Sequence, residues 1–274
     1  MNKLKDVKII FTDIDGTLTN NKKEISEETI KAIKNAINKG IIVVLCSGRN
    51  NNYVCNMSKK AHASNYIIAC NGGEIFDYEN NLHINSNKID IKDIEKIWDY
   101  CANNNICCLL NSTNIRYCNN NHYVPDKEKK QINSLEEIND DIFQIVTIGY
   151  DYQIMNKLEK IIASINLNIT NPSLNYIKKE AMEKHFFFDI NNTNTNKGAA
   201  ITTLLNFLNI KKENAIGFGD HINDYDLFDA VGFKIAMGNA NEGLKEKADY
   251  ITLSNDEHGV AYFLNNYIDY DNEK

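Results

Sequence analysis

Proline, paired cysteine motifs, long apolar runs and excess positive charge are all scarce in this 274-residue chain, and each scarcity narrows what it can be. Only Pro125 and Pro172 occur, so no proline-rich linker divides the chain, and neither repeats nor low-complexity tracts replace one. The seven cysteines (Cys46, Cys55, Cys70, Cys101, Cys107, Cys108, Cys118) form no Cys-x-x-Cys pair and include an odd one, which argues against both a disulfide framework and a metal cluster. Several lie inside apolar stretches and read as buried thiols of a reducing compartment. The longest aliphatic run, Ile41 to Cys46, is far short of the roughly 20 residues a membrane helix needs. The opening MNKLKDVKIIF has no long apolar core and runs directly into a strand, so the expectation is a cytoplasmic protein without a secretory signal or membrane contact. A formal net charge of −7 disfavours nucleic acid as a partner, because such binding rests on neutralising phosphates with a basic face.

What is present is an ordinary globular composition, 43% hydrophobic and 24% charged, in a length that suits a main domain plus a smaller insert. Over the first eighty residues, short β-rich runs alternate with longer amphipathic segments. Val7–Phe11 reads as a buried strand, and Ser26–Lys39 as a helix with Ile30, Ile33 and Ile37 at helical spacing, Ser26 as its N-cap and Gly40 just past its end. Strand Ile41–Leu45, helix Tyr53–His62 and strand Tyr66–Cys70 follow, the last halted by the turn Asn71-Gly72-Gly73. The alternation resumes with helix Lys197–Leu208, strand Asn214–Phe218, helix Asp224–Ala230, strand Phe233–Ala236, helix Glu242–Glu246, strand Tyr250–Leu253 and helix Val260–Tyr267. Between these blocks the spacing predicts helices over Ile91–Asn103 and Ile154–Ile165 beside consecutive strands (Ile106–Leu110, Ile115–Cys118, Phe143–Gly149, and short ones near Asn168 and Tyr176). The expected fold is therefore α/β, a Rossmann-like parallel-sheet core over residues 1–84 and 185–274 with an α+β insert over 85–184. Trp98 and Phe186–Phe188 are core candidates.

Polar residues gather where the core strands stop. The first strand runs into Thr12-Asp13-Ile14-Asp15-Gly16-Thr17, the second into Ser47-Gly48-Arg49, and Asn214–Phe218 into Gly219-Asp220 and then Asn223-Asp224. Ligands of open parallel sheets bind at the carboxyl ends of the strands, so these clusters are expected to converge. On a regular strand Asp13 and Asp15 would share a face and repel unless a cation or proton lay between them. With Asp220 and Asp224 they make a hard, oxygen-rich site of the kind Mg²⁺ prefers, and Lys197 supplies a positive charge for phosphoryl oxygens. Phosphate-monoester hydrolysis needs accelerations up to ~10²¹, whereas a lone general base offers about 10²- to 10⁴-fold. Such a site has to combine a nucleophile, a metal and preorganised donors. Arg49 is expected to pair with an acid and support its loop; Asn223 and Asp224 could equally cap the following helix. In the insert, His122, Tyr123, Tyr176 and Lys178 could face a substrate, though nothing singles them out.

Asp13-Ile14-Asp15-Gly16-Thr17-Leu18 resembles the first motif of the haloacid dehalogenase superfamily, Ser47 in CSGRN the second, Lys197 in NTNKGAA the third and GFGDHINDYDLF the fourth, in matching order and spacing. The stretch AMGNANEGLKEKADYITLSNDEHGV is similar to the Cof-type subfamily, whose members carry a C2-type α/β cap between motifs two and three. The resemblance implies a Mg²⁺-dependent phosphatase of small phosphorylated metabolites. It makes Asp13 the nucleophile that forms an aspartyl-phosphate and Asp15 the acid and then base. It implies that Mg²⁺ is held by the Asp13 carboxylate, the Asp15 main-chain carbonyl and Asp220, supported by Asp224, and that Ser47, Gly48, Lys197 and Asn223 hold phosphate oxygens. Ser47 stands where threonine is common, and His221-Ile222 occupies variable positions. Phosphomannomutases share the DxDGT motif and a related cap, which makes a phosphomutase the alternative. A phospho-accepting receiver module is a further one, but it leaves the insert unexplained.

Overall fold

The structure, a computed structural model, describes residues 3–120, 129–165, 167–177 and 184–270, with the side chains of 171–185 outside the description. His122, Tyr123, Pro125 and Lys178 lie outside the described residues, as does the Tyr176 side chain. The chain divides into two compact units, one of residues 1–49, 53–85 and 196–274, the other of residues 50–52 and 86–195.

In the first unit, β1 (Ile9–Thr12), α1 (Glu27–Asn38), β2 (Ile42–Cys46), α2 (Asn51–Ala61), β3 (Tyr66–Ala69), β4 (Glu74–Asp77) and β5 (Leu82–Ser86) form the N-terminal part. α1 begins where Ser26 accepts a hydrogen bond from the Thr29 amide, with Glu27 and Glu28 favourably placed in the first turn. Thr29, Ala32, Ile33 and Ala36 recur at three- and four-residue intervals and form its buried face, and the chain leaves the helix through Gly40 at φ +78°.

The second unit holds α3 (Ile91–Asn103), β6 (Cys107–Asn111), β7 (Arg116–Cys118), β8 (Lys129–Gln131), β9 (Gln144–Gly149), α4 (Tyr152–Ala163), β10 (Leu167–Ile177) and β11 (Lys184–Asn192). Its sheet runs β10-β11-β9-β6-β7-β8, antiparallel except for the last pair. Alternate residues of three strands, Cys108 and Leu110, Ile145, and Phe186, Phe188 and Ile190, belong to one apolar cluster with Ile94, Ile97, Trp98 and Cys101 of α3 and Met155, Leu158 and Ile162 of α4. Full burial of one such isoleucine stabilises by about 1.5–3 kcal/mol relative to exposure.

The chain then completes the first unit with α5 (Lys197–Phe207), β12 (Ala215–Gly219), α6 (Tyr225–Ala230), β13 (Phe233–Ala236), α7 (Glu242–Lys247), β14 (Tyr250–Ile251) and α8 (Gly259–Tyr267). The sheet order is β14-β13-β12-β1-β2-β3-β4-β5, parallel from β14 through β3 and antiparallel between β3 and β4. α1 packs on α8 and α5 on α6. β1 and β12 are buried along their whole length, as sheet-interior strands covered on both faces must be. Strand order reverses at β1, the point where such folds place their ligand crevice.

The structure corrects the sequence reading in three respects. The inserted unit ends at Thr195 rather than Lys184, because β11 pairs with β9 and β10 and so belongs to the insert's sheet. The two short strands expected near Asn168 and Tyr176 are one strand, β10, whose pairing shifts register twice. β4, β5 and β8 are additional. Among the described residues no helix is long and apolar enough to cross a membrane.

Candidate active site

β1 stops at Thr12, and its ladder to β12 extends one step further through the Asp13 amide, which donates to Phe218 O at 3.2 Å. The chain then turns: the amides of Leu18 and Thr19 both donate to Ile14 O. Asp13 and Asp15 therefore do not share a strand face. Gly16 sits in this turn at φ +85°, and a Cβ there would collide with the Asp220 carboxylate, so glycine lets the loop lie against that acid. At the end of β2, the Ser47–Arg49 loop is braced from the neighbouring turn. The Asn71 amide donates to Ser47 O at 3.0 Å and the Cys70 amide to Arg49 O at 2.8 Å, with Cys70 and Asn71 both at positive φ. Asn71 Oδ1 approaches to 2.8 Å of where a Gly48 Cβ would stand, so Gly48 too is fixed by close approach. Ser47 Oγ accepts from the Arg49 amide at 3.2 Å.

Lys197 is the first residue of α5, whose N-cap, Asn196, accepts from the Ala199 amide. Its side chain is only 1% exposed, and Nζ donates to Asp13 Oδ1 at 2.5 Å and to Asp224 Oδ1 at 2.7 Å. The other Asp224 oxygen, Oδ2, accepts from the amides of Asp220 and His221 at 2.9 and 3.1 Å, which ties the loop after β12 to the same point. Thr17 Oγ1 donates to Asp220 Oδ1 at 2.8 Å. One carboxylate oxygen from each of Asp13, Asp220 and Asp224 lies within 4.8 Å of the others. Asn223 is half-buried in the short turn Ile222–Asp224 beside this group.

The electrostatics follow from three acids sharing one ammonium. Burial drives the Asp13 pKa well above the ordinary carboxylate value; Lys197 opposes this, while Asp224 and Asp220 add to it. Asp220 is pushed up to about 6 by burial and by Asp224. For Lys197 burial works against the charge, but Asp13 and Asp224 outweigh it and raise the pKa. When all are ionised the group is doubly negative, built from hard oxygens, and could hold a divalent cation.

Asp15 is held differently. Burial opposes its ionisation, but Arg49 donates from Nε to Oδ2 at 2.8 Å and from Nη2 to Oδ1 at 3.1 Å, Lys23 adds a contact at 3.2 Å, and the carboxyl lies below its usual pKa. Each acid of the first motif thus has its own cation, which is how the two tolerate their closeness. The structure brings together Asp13, Lys197, Asp220 and Asp224. It sets Ser47, Gly48 and Asn223 on adjoining strand-end loops and turns the Asp15 side chain to the cations. The acid expected for Arg49 is Asp15. Thr17 and Lys23 went unread in the sequence; Thr17 stood within the quoted motif, whereas Lys23, in a polar loop, gives no local signal.

A family model for haloacid dehalogenase-like hydrolases matches residues 10–264. A 5-amino-6-(5-phospho-D-ribitylamino)uracil phosphatase of Bacillus subtilis is 31% identical over 267 residues, with 96% of each chain covered. A further phosphatase of Bacillus subtilis is 29% identical, with 94% of this chain and 99% of that one covered. A crystal structure of a haloacid dehalogenase-like hydrolase from Bacteroides thetaiotaomicron superposes with TM-score 0.82 at 26% identity, covering 94% of this chain and 98% of that one. Four motifs on the ends of parallel strands, a family match over nearly the whole length and relatives aligned end to end lead to one statement: the chain belongs to the haloacid dehalogenase-like hydrolase family.

Proposed function

We propose that the protein is a Mg²⁺-dependent phosphatase that hydrolyses small phosphorylated metabolites through an aspartyl-phosphate on Asp13. The observation that carries this reading is the buried Lys197 joined to both Asp13 and Asp224, with Asp220 beside them, at the carboxyl ends of β1 and β12. Relatives named as phosphatases, one of them for a phosphorylated ribitylamino-uracil, support the reaction class. None of the seven cysteines is joined in a disulfide, which fits a reducing compartment such as the cytoplasm.

The acids present suit a divalent cation. Their oxygens are hard, they carry excess negative charge, and burial raises both Asp13 and Asp220, a strain that a cation relieves. Mg²⁺ would be held by the carboxylates of Asp13 and Asp220 and by the Asp15 main-chain carbonyl, with Asp224 supporting it from close by, and when bound it would neutralise the charge that separates an anionic nucleophile from an anionic phosphate. An oxygen of Asp13 attacks phosphorus, the bond to the leaving oxygen breaks, and Asp15, which takes a proton from solvent as it turns from Arg49 and Lys23, gives that proton to the leaving oxygen. Water then attacks the aspartyl-phosphate, Asp15 takes the water's proton, inorganic phosphate departs and the Asp13 carboxylate is restored. Lys197, Ser47, the Gly48 amide and Asn223 orient the phosphoryl oxygens through both steps.

Two expected outcomes test this. Hydrolysis of p-nitrophenyl phosphate and sugar phosphates should require Mg²⁺ and stop in excess EDTA. Because the metal-free Asp220 pKa lies near 6, above its ordinary value, the stability this group contributes is present at low pH and is lost as pH rises through 6, where metal and proton compete for the same oxygens. The rise in melting temperature on adding Mg²⁺ should therefore be small at acid pH and grow as pH passes 6, and Asp220→Asn should flatten it. A Mg²⁺ effect independent of pH would place the cation elsewhere.

The other outcome concerns Asp15→Ala. A sugar alkoxide leaves poorly without a proton, so aspartyl-phosphate formation from a sugar phosphate should slow by about 10²- to 10⁴-fold. p-Nitrophenolate leaves unaided, so rapid quench with that substrate should reveal a burst near one equivalent per site followed by slow turnover, with hydroxylamine-labile phosphate on Asp13. Equal impairment of both substrates without trapped phosphate would make Asp15 a structural residue.

A further inference from the structure

The reaction steps above draw on no side chain from residues 236–260, yet two loops of that stretch reach the backbone of the candidate site. Residues 237–241, which follow β13, are fastened to the segments after two other strands. Asn239 Nδ2 donates to Gly16 O at 2.8 Å, and the Asn241 amide and Asn241 Nδ2 donate to Asp220 O at 3.0 and 3.3 Å. Gly16 lies in the turn after β1 and Asp220 directly follows β12, so a single loop grips main-chain carbonyls on both sides of the acids. Asn239 is itself oriented: its Oδ1 accepts from the Asn255 amide at 2.9 Å, which leaves Nδ2 to face Gly16. The Asn255 side chain, buried in the loop after β14, donates from Nδ2 to Thr19 O at 3.0 Å and so holds the far end of the same turn.

On the phosphatase reading above, which this inference rests on, the Asp15 carbonyl and the Asp220 carboxylate belong to one Mg²⁺. Gly16 stands between the Asp15 carbonyl and Thr17, whose Oγ1 donates to Asp220 Oδ1 at 2.8 Å. Because peptide units are planar, fixing Gly16 O restricts the peptides on either side of it. Asn241 meanwhile fixes the peptide of Asp220 itself. Mg²⁺ demands near-ideal octahedral geometry at about 2.0–2.1 Å, so a loose frame weakens its binding. We propose that Asn239 and Asn255 are positioning residues: they hold the turn after β1 against the loop after β12, and the fixed separation of the two sets the affinity for Mg²⁺. They act through Gly16 O and Thr19 O and supply no ligand. Loss of an outer-shell partner of this kind lowers metal affinity or activity by about 10- to 100-fold. A bond that merely braced a surface loop would change stability and leave the affinity as it is.

The test compares variants of the full-length protein. Asn239→Leu and Asn239→Ala remove the bond to Gly16 O without adding charge, Asn255→Ala removes the bond to Thr19 O, and Asn239→His can return a donor from Nδ1. Asn214→Ala is the control: it deletes an asparagine bond of equal length, Nδ2 to Asp6 O at 2.8 Å, ahead of β1 and β12. In metal-free protein the amides of Leu18 and Thr19, which donate to Ile14 O inside the turn, should exchange with deuterium about tenfold faster in the leucine and alanine variants at the two positions, and at the parental rate in the control. The Mg²⁺ concentration that gives half of the full thermal stabilisation should rise by about 10- to 100-fold in the same variants, with Asn239→His in between. With p-nitrophenyl phosphate at limiting Mg²⁺, kcat should fall while KM moves by less than about twofold, and excess Mg²⁺ should restore kcat. Circular dichroism identifies any variant that has lost its fold, and the remaining substitutions at the two positions carry the test. If the parent needs Mg²⁺ yet the folded variants keep parental exchange and a parental Mg²⁺ midpoint, or if Asn214→Ala shifts that midpoint as far, the positioning assignment is wrong and the phosphatase reading stands. A parent that neither releases phosphate nor is stabilised by Mg²⁺ would end both.

Discussion

Asp13→Asn should lower turnover of p-nitrophenyl phosphate by about 10⁴-fold or more while the protein keeps its fold. The substitution changes little in shape. An amide oxygen can still accept from Lys197 Nζ, which lies 2.5 Å from Asp13 Oδ1, and Asp224 continues to engage the same ammonium. On the proposed mechanism what is lost is the anionic oxygen that attacks phosphorus, and the neighbouring acids are engaged elsewhere: Asp224 by Lys197 and two backbone amides, Asp15 by Arg49 and Lys23, and Asp220 by Thr17. Asp13 also shares a buried, doubly negative group, so its neutralisation relieves repulsion, and the metal-free variant should melt no lower than the parent. Single-turnover kinetics, thermal melting and intact mass, which excludes reversion by deamidation, provide the measurements. Near-parental turnover by protein of verified mass would remove Asp13 from the role of nucleophile.

Lys197→Met should be the most destabilising single change in the site. It deletes the ammonium lying between Asp13 and Asp224 and leaves two carboxyls in a buried setting without their cation. Removal of one partner from a buried pair typically costs about 3–5 kcal/mol, which for a chain of this size means a melting point lower by roughly 6–20 °C. The deficit has a definite pH dependence. With the lysine gone, the Asp13 carboxyl is pushed further above the ordinary range, so the variant should lose most at neutral and alkaline pH and recover as acid protonates it. Mg²⁺ should also narrow the gap, because it supplies positive charge to the same oxygens. Melting curves from pH 5 to 8, with and without EDTA, decide the matter; a melting point close to the parent's throughout would mean that solvent reaches these acids.

Much of this could be read from the chain because the fold and the site share a signal. α3 and β13 have the boundaries their patterns predict, since Ile94, Ile97, Trp98 and Cys101 keep strict helical spacing and Phe233–Ala236 is bounded by Gly232 and Gly238. Asp13, Ser47 and Asp220 were legible because each interrupts an apolar run at a strand end. The parts that escaped lack that contrast. β5 is largely exposed and polar, and β8 is a three-residue strand of lysines and glutamine, so neither alternates clearly. β11 misled in the other direction: its apolar Phe186–Phe188 run resembles a core strand, and only its pairing with β9 and β10 assigns it to the insert. Lys23 acquires its role through a turn that folds it back on Asp15, information that resides in three dimensions and not in spacing.

The position of β1 also has consequences for how the protein is made. One edge of β1 pairs with β2, where Ile9 meets Ile42; the other pairs with β12, where Ile9 meets Ala215. On the ribosome, the strand that leads into Asp13 therefore emerges early and waits with one edge open until about 200 further residues have followed. Closing the longer loop costs only roughly 1.5 kcal/mol more than closing the shorter one, so the burden is one of timing more than of stability. During that interval an apolar strand with unsatisfied amides and carbonyls is a template for mispairing with other nascent chains. The inserted unit, contiguous apart from residues 50–52, can settle first, and Asp13, Lys197, Asp220 and Asp224 meet only once the last third of the polypeptide has been synthesised.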